Sequence, residues 1–297
     1  MDYRTFVDQV IKKVTEKTGM DEQNVYYQEA DESMKEDAII VILGESETDF
    51  YCCRFFLEGM YEEYQSDCSV DDMADKIVEE VLCAREMKIK DKVEQLRDYE
   101  QAEKHIFVRP LNFDKNIDKL RNAIYRRVGD IALAAYFKIS EEQGSMASAI
   151  VEKRFLREWG KNEDEVFCEA MDNTMRMAPP RVYRLEKMVL DPEGYEGEDF
   201  MGIMGNHIIH RGALGNCIST TVRTNGAVAI FEKGVARCLS DAMGGQDLYL
   251  VFTAVHDVMC HNAATVHPED LERVLMETIM EATPKEDFLT RGIMGRN

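Results

Sequence analysis

Five of the six histidines fall between His207 and His267, and imidazole is the side chain best suited to carrying protons or binding a metal near neutral pH. His207-Ile-Ile-His210 has the spacing that puts two rings on one helical face. A metal site needs three or four ligands with supporting bonds behind them. This pair lies in a glycine-rich stretch with no carboxylate or third ligand fixed beside it. It reads as a structural or solvent pair, and no metal or cofactor is expected. His256-Asp257 is the stronger candidate, because it ends the apolar run Leu248 to Val255 and strand ends in open α/β sheets border ligand crevices. The chemical reading makes His256 a proton carrier beside Asp257 in a hydrolase or transferase. The plain reading makes it a turn histidine bonded to nearby backbone. A cysteine nucleophile, Cys217 or Cys260, would need its thiol within hydrogen-bond reach of the ring. Cys260, four residues on, shares a face with His256 but sits about 13 Å away along an extended chain, so that dyad is not expected.

Arg109, Lys115, Lys119, Arg121, Arg126 and Arg127 form the basic concentration of the chain, interleaved with Asp114, Asp118 and Asp130. No aromatic stacking platform or nucleic-acid motif accompanies them, so they read as a solvated, ion-paired face. The Gly202-Ile-Met-Gly205 and Gly292-Ile-Met-Gly295 runs lack the lysine of a phosphate loop.

The elements that must position these groups fall into four segments. Residues 1–104 read as an N-terminal helix–hairpin–helix unit. Phe6, Val7, Val10, Ile11 and Val14 recur at helical spacing up to Gly19, Ala38 to Leu43 and Phe50 to Phe56 form a hairpin, and Ser69-Val-Asp-Asp72 opens a long helix. Residues 105–190 read as strand, helix, strand, strand, helix. The strand Ile131 to Ile139 is apolar on both faces, and a second helix is capped by Asn162 with Glu165 three residues on. Trp159 reads as a plug between strand and helix. Residues 191–215, rich in glycine and acid, read as a linker. Residues 216–297 repeat the element order of 105–190, with a mostly helical run over Ala227 to Met243 (of which Ala227 to Phe231 alone reads equally as a strand), the strand Leu248 to Val255, a paired strand from Val258, and a last helix begun by His267-Pro268. The fold class expected is α+β (mixed α/β), with two similar strand–helix–strand–strand–helix modules after the N-terminal unit.

Composition limits the partners. The chain has 297 residues, 45% of them apolar, and a formal net charge of −21. That charge disfavours attraction to phosphate backbones and anionic lipid, so a nucleic-acid partner is not expected. No run of 18 or more apolar residues suits a membrane span, and the first residues lack the basic-then-apolar order of a secretory signal. Eight scattered cysteines without a Cys-x-x-Cys read as reduced thiols in a cytoplasmic protein.

Several stretches together resemble a family of uncharacterised proteins common in anaerobic gut bacteria, catalogued as domain of unknown function number 5688. They are Phe155-Leu-Arg-Glu-Trp-Gly-Lys-Asn-Glu-Asp-Glu-Val166 through to Pro179-Pro180, Gly59-Met-Tyr-Glu-Glu-Tyr64, Asp130-Ile-Ala-Leu-Ala134 and Thr253-Ala-Val-His-Asp257. The resemblance runs along the whole chain and implies a bacterial intracellular protein without supplying an activity. At the turn, Thr253 and Ala254 stand where the family carries two serines, which counts against serine chemistry. The function expected is a cytoplasmic, non-enzymatic binding or regulatory module working through protein contacts. The alternative is a hydrolase or transferase at His256 and Asp257.

Overall fold

The computed structural model describes all residues except 31–35, 46–49, 67, 87–93, 143–144, 193, 203–208, 210, 213, 285–286 and 297. The chain divides into two compact units, Met1–Leu96 and Arg97–Asn297. Its class is mixed α+β, with every strand pair antiparallel.

In the first unit, helix α1 (Tyr3–Thr18) starts where Asp2 accepts the Thr5 N–H and stops where Gly19 turns left-handed at φ 65°. Its stripe of Phe6, Val7, Val10 and Val14 is buried. Each such side chain contributes roughly 1.5–3 kcal/mol relative to exposure. The stripe shares a core with Met73, Ala74, Ile77 and Val81 of α3 (Val70–Glu86), while α2 (Leu57–Ser66) adds Leu57. Lys13–Asp71 and Lys17–Asp75, at 2.7 and 2.6 Å, join α1 to α3 along their exposed sides. The sheet β1 (Val25–Gln28), β2 (Ala38–Glu45), β3 (Phe50–Phe56) adds Val25, Ile39, Val41 and Phe55 to the same core. Asp37 locks the entry to β2 by accepting from Tyr3 Oη, Tyr27 Oη and the Ala30 N–H. These donors hold its carboxyl below the usual range, and the Tyr27 bond pushes that phenol up to about 12.

The second unit is built around β6 (Ile131–Glu142), which takes β4 (Ile106–Asn112) along one edge. The other edge is shared end to end by β5 (Tyr125–Val128) and β7 (Ser145–Ile150). The joint between those two is closed by backbone bonds from Ala135 to Ile124 and from Val151 to Ala135. The run Ile131 to Ala135, with side chains alternating between the two faces, is buried throughout, as is Phe137. The short helix α4 (Arg154–Trp159) brings Phe155 and Trp159 onto Phe137 of β6, ring centroids 5.4 and 5.7 Å apart. Helix α5 (Glu163–Met177) carries the full Asn162–Glu165 capping box. It covers the free edge of β4: Asn173 Nδ2 donates to the Ile106 carbonyl, and Thr174 Oγ1 accepts from the Val108 N–H. An otherwise open strand edge is thereby satisfied.

The remaining strands form a second sheet in the order β12–β10–β11–β9–β8. These are β8 (Pro180–Arg184), β9 (Asn216–Thr220), β10 (Leu248–Val251), β11 (Val258–Asn262) and β12 (Ile293–Arg296). Three helices complete it, α6 (Leu185–Leu190), α7 (Val235–Ala242) and α8 (Pro268–Ala282). Residues 105–190 hold an additional strand, β5, before β6, residues 216–297 an additional strand, β12, after α8, and the pairing also differs. The first segment runs β4–β6–β7, with the leading strand of its hairpin in the centre, whereas the second runs β9–β11–β10, with the trailing strand there. β10 cannot copy β6, because it is only four residues long and its other edge is taken by β12. β8, from the end of the first segment, completes the second sheet beyond β9.

Candidate functional site

His256 lies on the connection between β10 and β11. The expected strand Leu248 to Val255 ends at Val251 because the backbone beyond it pairs elsewhere: the Val255 N–H bonds the Asp287 carbonyl, and the Val255 carbonyl accepts from Ala227. The sheet is antiparallel, so the crevice that forms at parallel strand ends is not what borders this histidine.

Three neighbours fix it. Ser219 Oγ on β9 donates to the His256 carbonyl at 2.7 Å, the Asn225 backbone N–H donates to Nδ1 at 3.2 Å, and Asp287 Oδ2 lies 3.3 Å from Nε2. With Nδ1 accepting, the neutral ring carries its proton on Nε2, facing the Asp287 carboxylate. The side chain remains 40% exposed. Asn225 is delivered by a tight turn in which Arg223 and Asn225 adopt φ 64° and 55°. The next residue must be glycine: a Cβ on Gly226 would lie 2.0 Å from Ser219 Oγ and 2.6 Å from the His256 carbonyl oxygen. Gly226 opens a 3-10 turn through Phe231, and Gly234, at φ 89°, separates it from α7. The mostly helical run expected over Ala227 to Met243 is thus broken by a left-handed glycine.

Asp257, expected beside the ring, is turned to Thr253, whose Oγ1 donates to Oδ1 at 2.9 Å. Burial raises its carboxyl above the usual range, against the lowering pull of the Thr253 bond and of His256. The acid at the ring is Asp287, which no local pattern announces. Both candidate thiols are buried. Cys217 Sγ lies 3.7 Å from Met188 Sδ, and Cys260 Sγ donates to the Val258 carbonyl. Burial pushes the Cys260 thiol up to about 12 and that of Cys217 further, with Asp257 adding to both. They are set up as packing groups and not as thiolates.

His207 and His210 lie outside the described residues. Among the described residues no cluster of three or more His, Cys, Asp or Glu could hold a metal. The basic run is spread over partners: Arg126 pairs with Asp164, Arg121 with Asp118, and Arg127 lies 3.7 Å from the Phe113 ring. Arg109 is half-buried between the rings of Phe107 and Tyr136, and burial lowers its affinity for a proton. Among the described residues no helix is long and apolar enough to cross a membrane.

Fold and site together define an antiparallel α+β protein whose most reactive-looking groups are bonded into the scaffold. By sequence, residues 3–293 match the model of a family of unknown function, DUF5688, and the chain belongs to that family. No curated protein and no solved structure matches the chain.

Proposed function

We propose that this chain is a cytoplasmic, non-enzymatic binding module that acts by contact with another protein. The observation that carries this reading is the use made of His256. One ring nitrogen takes a backbone N–H and the other faces Asp287, so the imidazole works as a cross-link between the β10–β11 connection, the turn at Asn225 and the segment before β12. A base poised for transfer instead keeps one nitrogen turned to the reacting group. The contact surface is supported by the exposure of Val189, Leu190 and Leu214, at 75, 83 and 64%. The first two stand on α6, and the third has its N–H held by the Glu186 carboxylate of the same helix. Clustered apolar exposure of this kind marks contact surfaces. With Glu186 among these residues and a net charge of −21, the complementary partner is a protein face with an apolar centre and a basic rim.

The test uses the full chain to capture partners, followed by titration of each purified candidate against wild type and Leu190→Asp. A saturable complex weakened about tenfold or more by the substitution is the expected result. The reading fails if no purified candidate binds saturably or if Leu190→Asp binds equally well. It also fails if the chain turns over model esters or phosphate esters with an activity lost in His256→Gln.

A further inference from the structure

A cavity of 200 Å³ lies between the end of β11, the end of α7 and the segment that leads into β9. Its apolar walls are Ile209, Leu214 and Met243, and its polar side chains are Arg211, Asn216, Cys260, His261, Asn262 and Thr265. The segment is pinned on both sides of Arg211. The Ile209 N–H bonds the Ala242 carbonyl, and the Gly212 N–H bonds Oδ1 of buried Asn216 at 2.8 Å. Three further polar groups are spent within the protein. Cys260 Sγ donates to the Val258 carbonyl, Thr265 Oγ1 donates to the Asn262 carbonyl, and Asn262 Oδ1 accepts from the Ala264 N–H. The Arg211 guanidinium, the Asn262 side-chain NH2 and the His261 ring have no hydrogen-bond or ion-pair partner among the described residues. None of the three residues is sealed: Arg211 is exposed, and His261 and Asn262 are half-buried. The charge balance around them is unlike the rest of the chain. Of 57 acidic residues, none lies between Asp199 and Glu232, and among the described residues no carboxylate lines the cavity. Glu186 touches the same segment outside that lining, where its carboxylate accepts the Leu214 N–H. The charge that acts on His261 is that of Arg211, which together with burial lowers the affinity of the ring for a proton. At neutral pH the ring is therefore uncharged, and Arg211 is the fixed positive charge of the lining.

We propose that this cavity binds a small monocarboxylic acid, its carboxylate on Arg211 with the Asn262 amide and the His261 ring beside it, and its short apolar body against Ile209, Leu214 and Met243. A guanidinium and an amide NH2 can only donate, and carboxylate oxygens can only accept, so the groups left over in the protein match the group proposed. Charge-assisted bonds of this kind are the strong ones, and the arginine fork fits a carboxylate through two parallel bonds. One fixed positive charge suits a monoanion better than a phosphate dianion, which would bring a second negative charge with no partner into a half-buried site. The carbon walls give an organic acid more than they give an inorganic ion. The volume falls below the roughly 300–1,000 Å³ of a drug-sized site, so a nucleotide is too large. The inference goes beyond the protein-contact reading and does not depend on it. Leu214 borders both surfaces, but Leu190→Asp leaves the lining of this cavity untouched, so the two tests fail separately.

The probe is butyrate, titrated into the full chain in a buffer free of other carboxylates and followed by backbone amide and His261 ring NMR shifts. Butyramide serves as the uncharged counterpart, and inorganic phosphate, at mildly alkaline pH, as the dianion. Saturable shifts at Arg211, His261 and Asn262 are expected with butyrate, and weaker binding of both counterparts. Arg211→Gln is expected to weaken butyrate about tenfold or more. Arg211→Lys keeps the charge but loses the fork, and is expected to weaken it less. If Arg211→Gln fails to fold, the comparison of butyrate with butyramide on the wild-type chain decides. No saturable shift at these residues, shifts centred elsewhere, butyramide or phosphate binding as tightly as butyrate, or equal affinity in Arg211→Gln would overturn the proposal.

Discussion

Replacing Gly226 by alanine tests the close approach on which the His256 arrangement is built. Where the backbone suits both residues, Gly→Ala stabilises by about 0.4–1 kcal/mol through the unfolded chain, and Gly226 has no left-handed φ. The surroundings reverse that sign. The new Cβ would stand 2.0 Å from Ser219 Oγ, 2.6 Å from the His256 carbonyl oxygen and 2.9 Å from the Thr220 amide nitrogen. Two of these are backbone atoms and cannot swing away. If Ser219 rotates, its bond to His256 is lost, at about 1 kcal/mol, and overpacking against the backbone adds about 1–3 kcal/mol. The expected cost is about 2–4 kcal/mol, which lowers the Tm of a unit this size by roughly 4–16 °C. Trp159 is the only tryptophan and sits in the 97–297 unit, so its fluorescence in a urea titration reads that unit directly. Ser219→Ala in the same chain removes the nearest clash and should recover about 1 kcal/mol of the loss. Stability of Gly226→Ala at or above wild type would refute the reasoning.

Further outcomes are expected at other sites. Asp257 has a folded carboxyl raised by burial, so the folded state holds its proton longer than the unfolded one. Its contribution to stability therefore falls as pH rises from the ordinary value of 3.8 through the folded pKa. Asp257→Asn should gain on wild type across that window in urea titrations, and a difference that shrinks with rising pH would contradict this. His261 runs the other way: burial and Arg211 lower its pKa from 6.5, so wild type should lose stability relative to His261→Gln as pH falls below 6.5, and a gain would contradict it. Iodoacetamide at neutral pH should label exposed Cys83 and Cys168 in the native chain, and Cys217 and Cys260 only after unfolding; mass spectrometry distinguishes them. Asn162→Ala removes the α5 cap and should cost about 0.5–2 kcal/mol in the same fluorescence assay, an unchanged midpoint being the contrary result.

Helices were the legible part of this sequence because their signals are local. Asn162 with Glu165, Ser69 with Asp72 and Pro268 mark starts within a few residues of the stripes they serve, and each opens a helix in the structure. Strands were legible where the apolar run was long, as at Ile131, and hidden where it was short. β8 begins at Pro180, which reads as a stop. An edge strand can tolerate that missing N–H, and β8 is an edge. β12 is four residues among glycines. The candidate site was half legible. His256 stood out by type and place, and Asn225-Gly226 carries a turn signature. Its acid, Asp287, lies 31 residues away in sequence and comes to the ring only through the backbone bond between Val255 and Asp287. Adjacency pointed to Asp257 instead, and Thr253 occupies that carboxylate.

Long-range nitrogen–proton NMR of the His256 ring tests the cross-link most directly, because it reads which nitrogen bears the proton in the neutral form. The expected spectrum shows a protonated Nε2 and an accepting Nδ1, with the Asn225 amide coupled to the ring and the pattern altered by Asp287→Asn. A proton on Nδ1, or a ring indifferent to Asp287→Asn, would contradict the account.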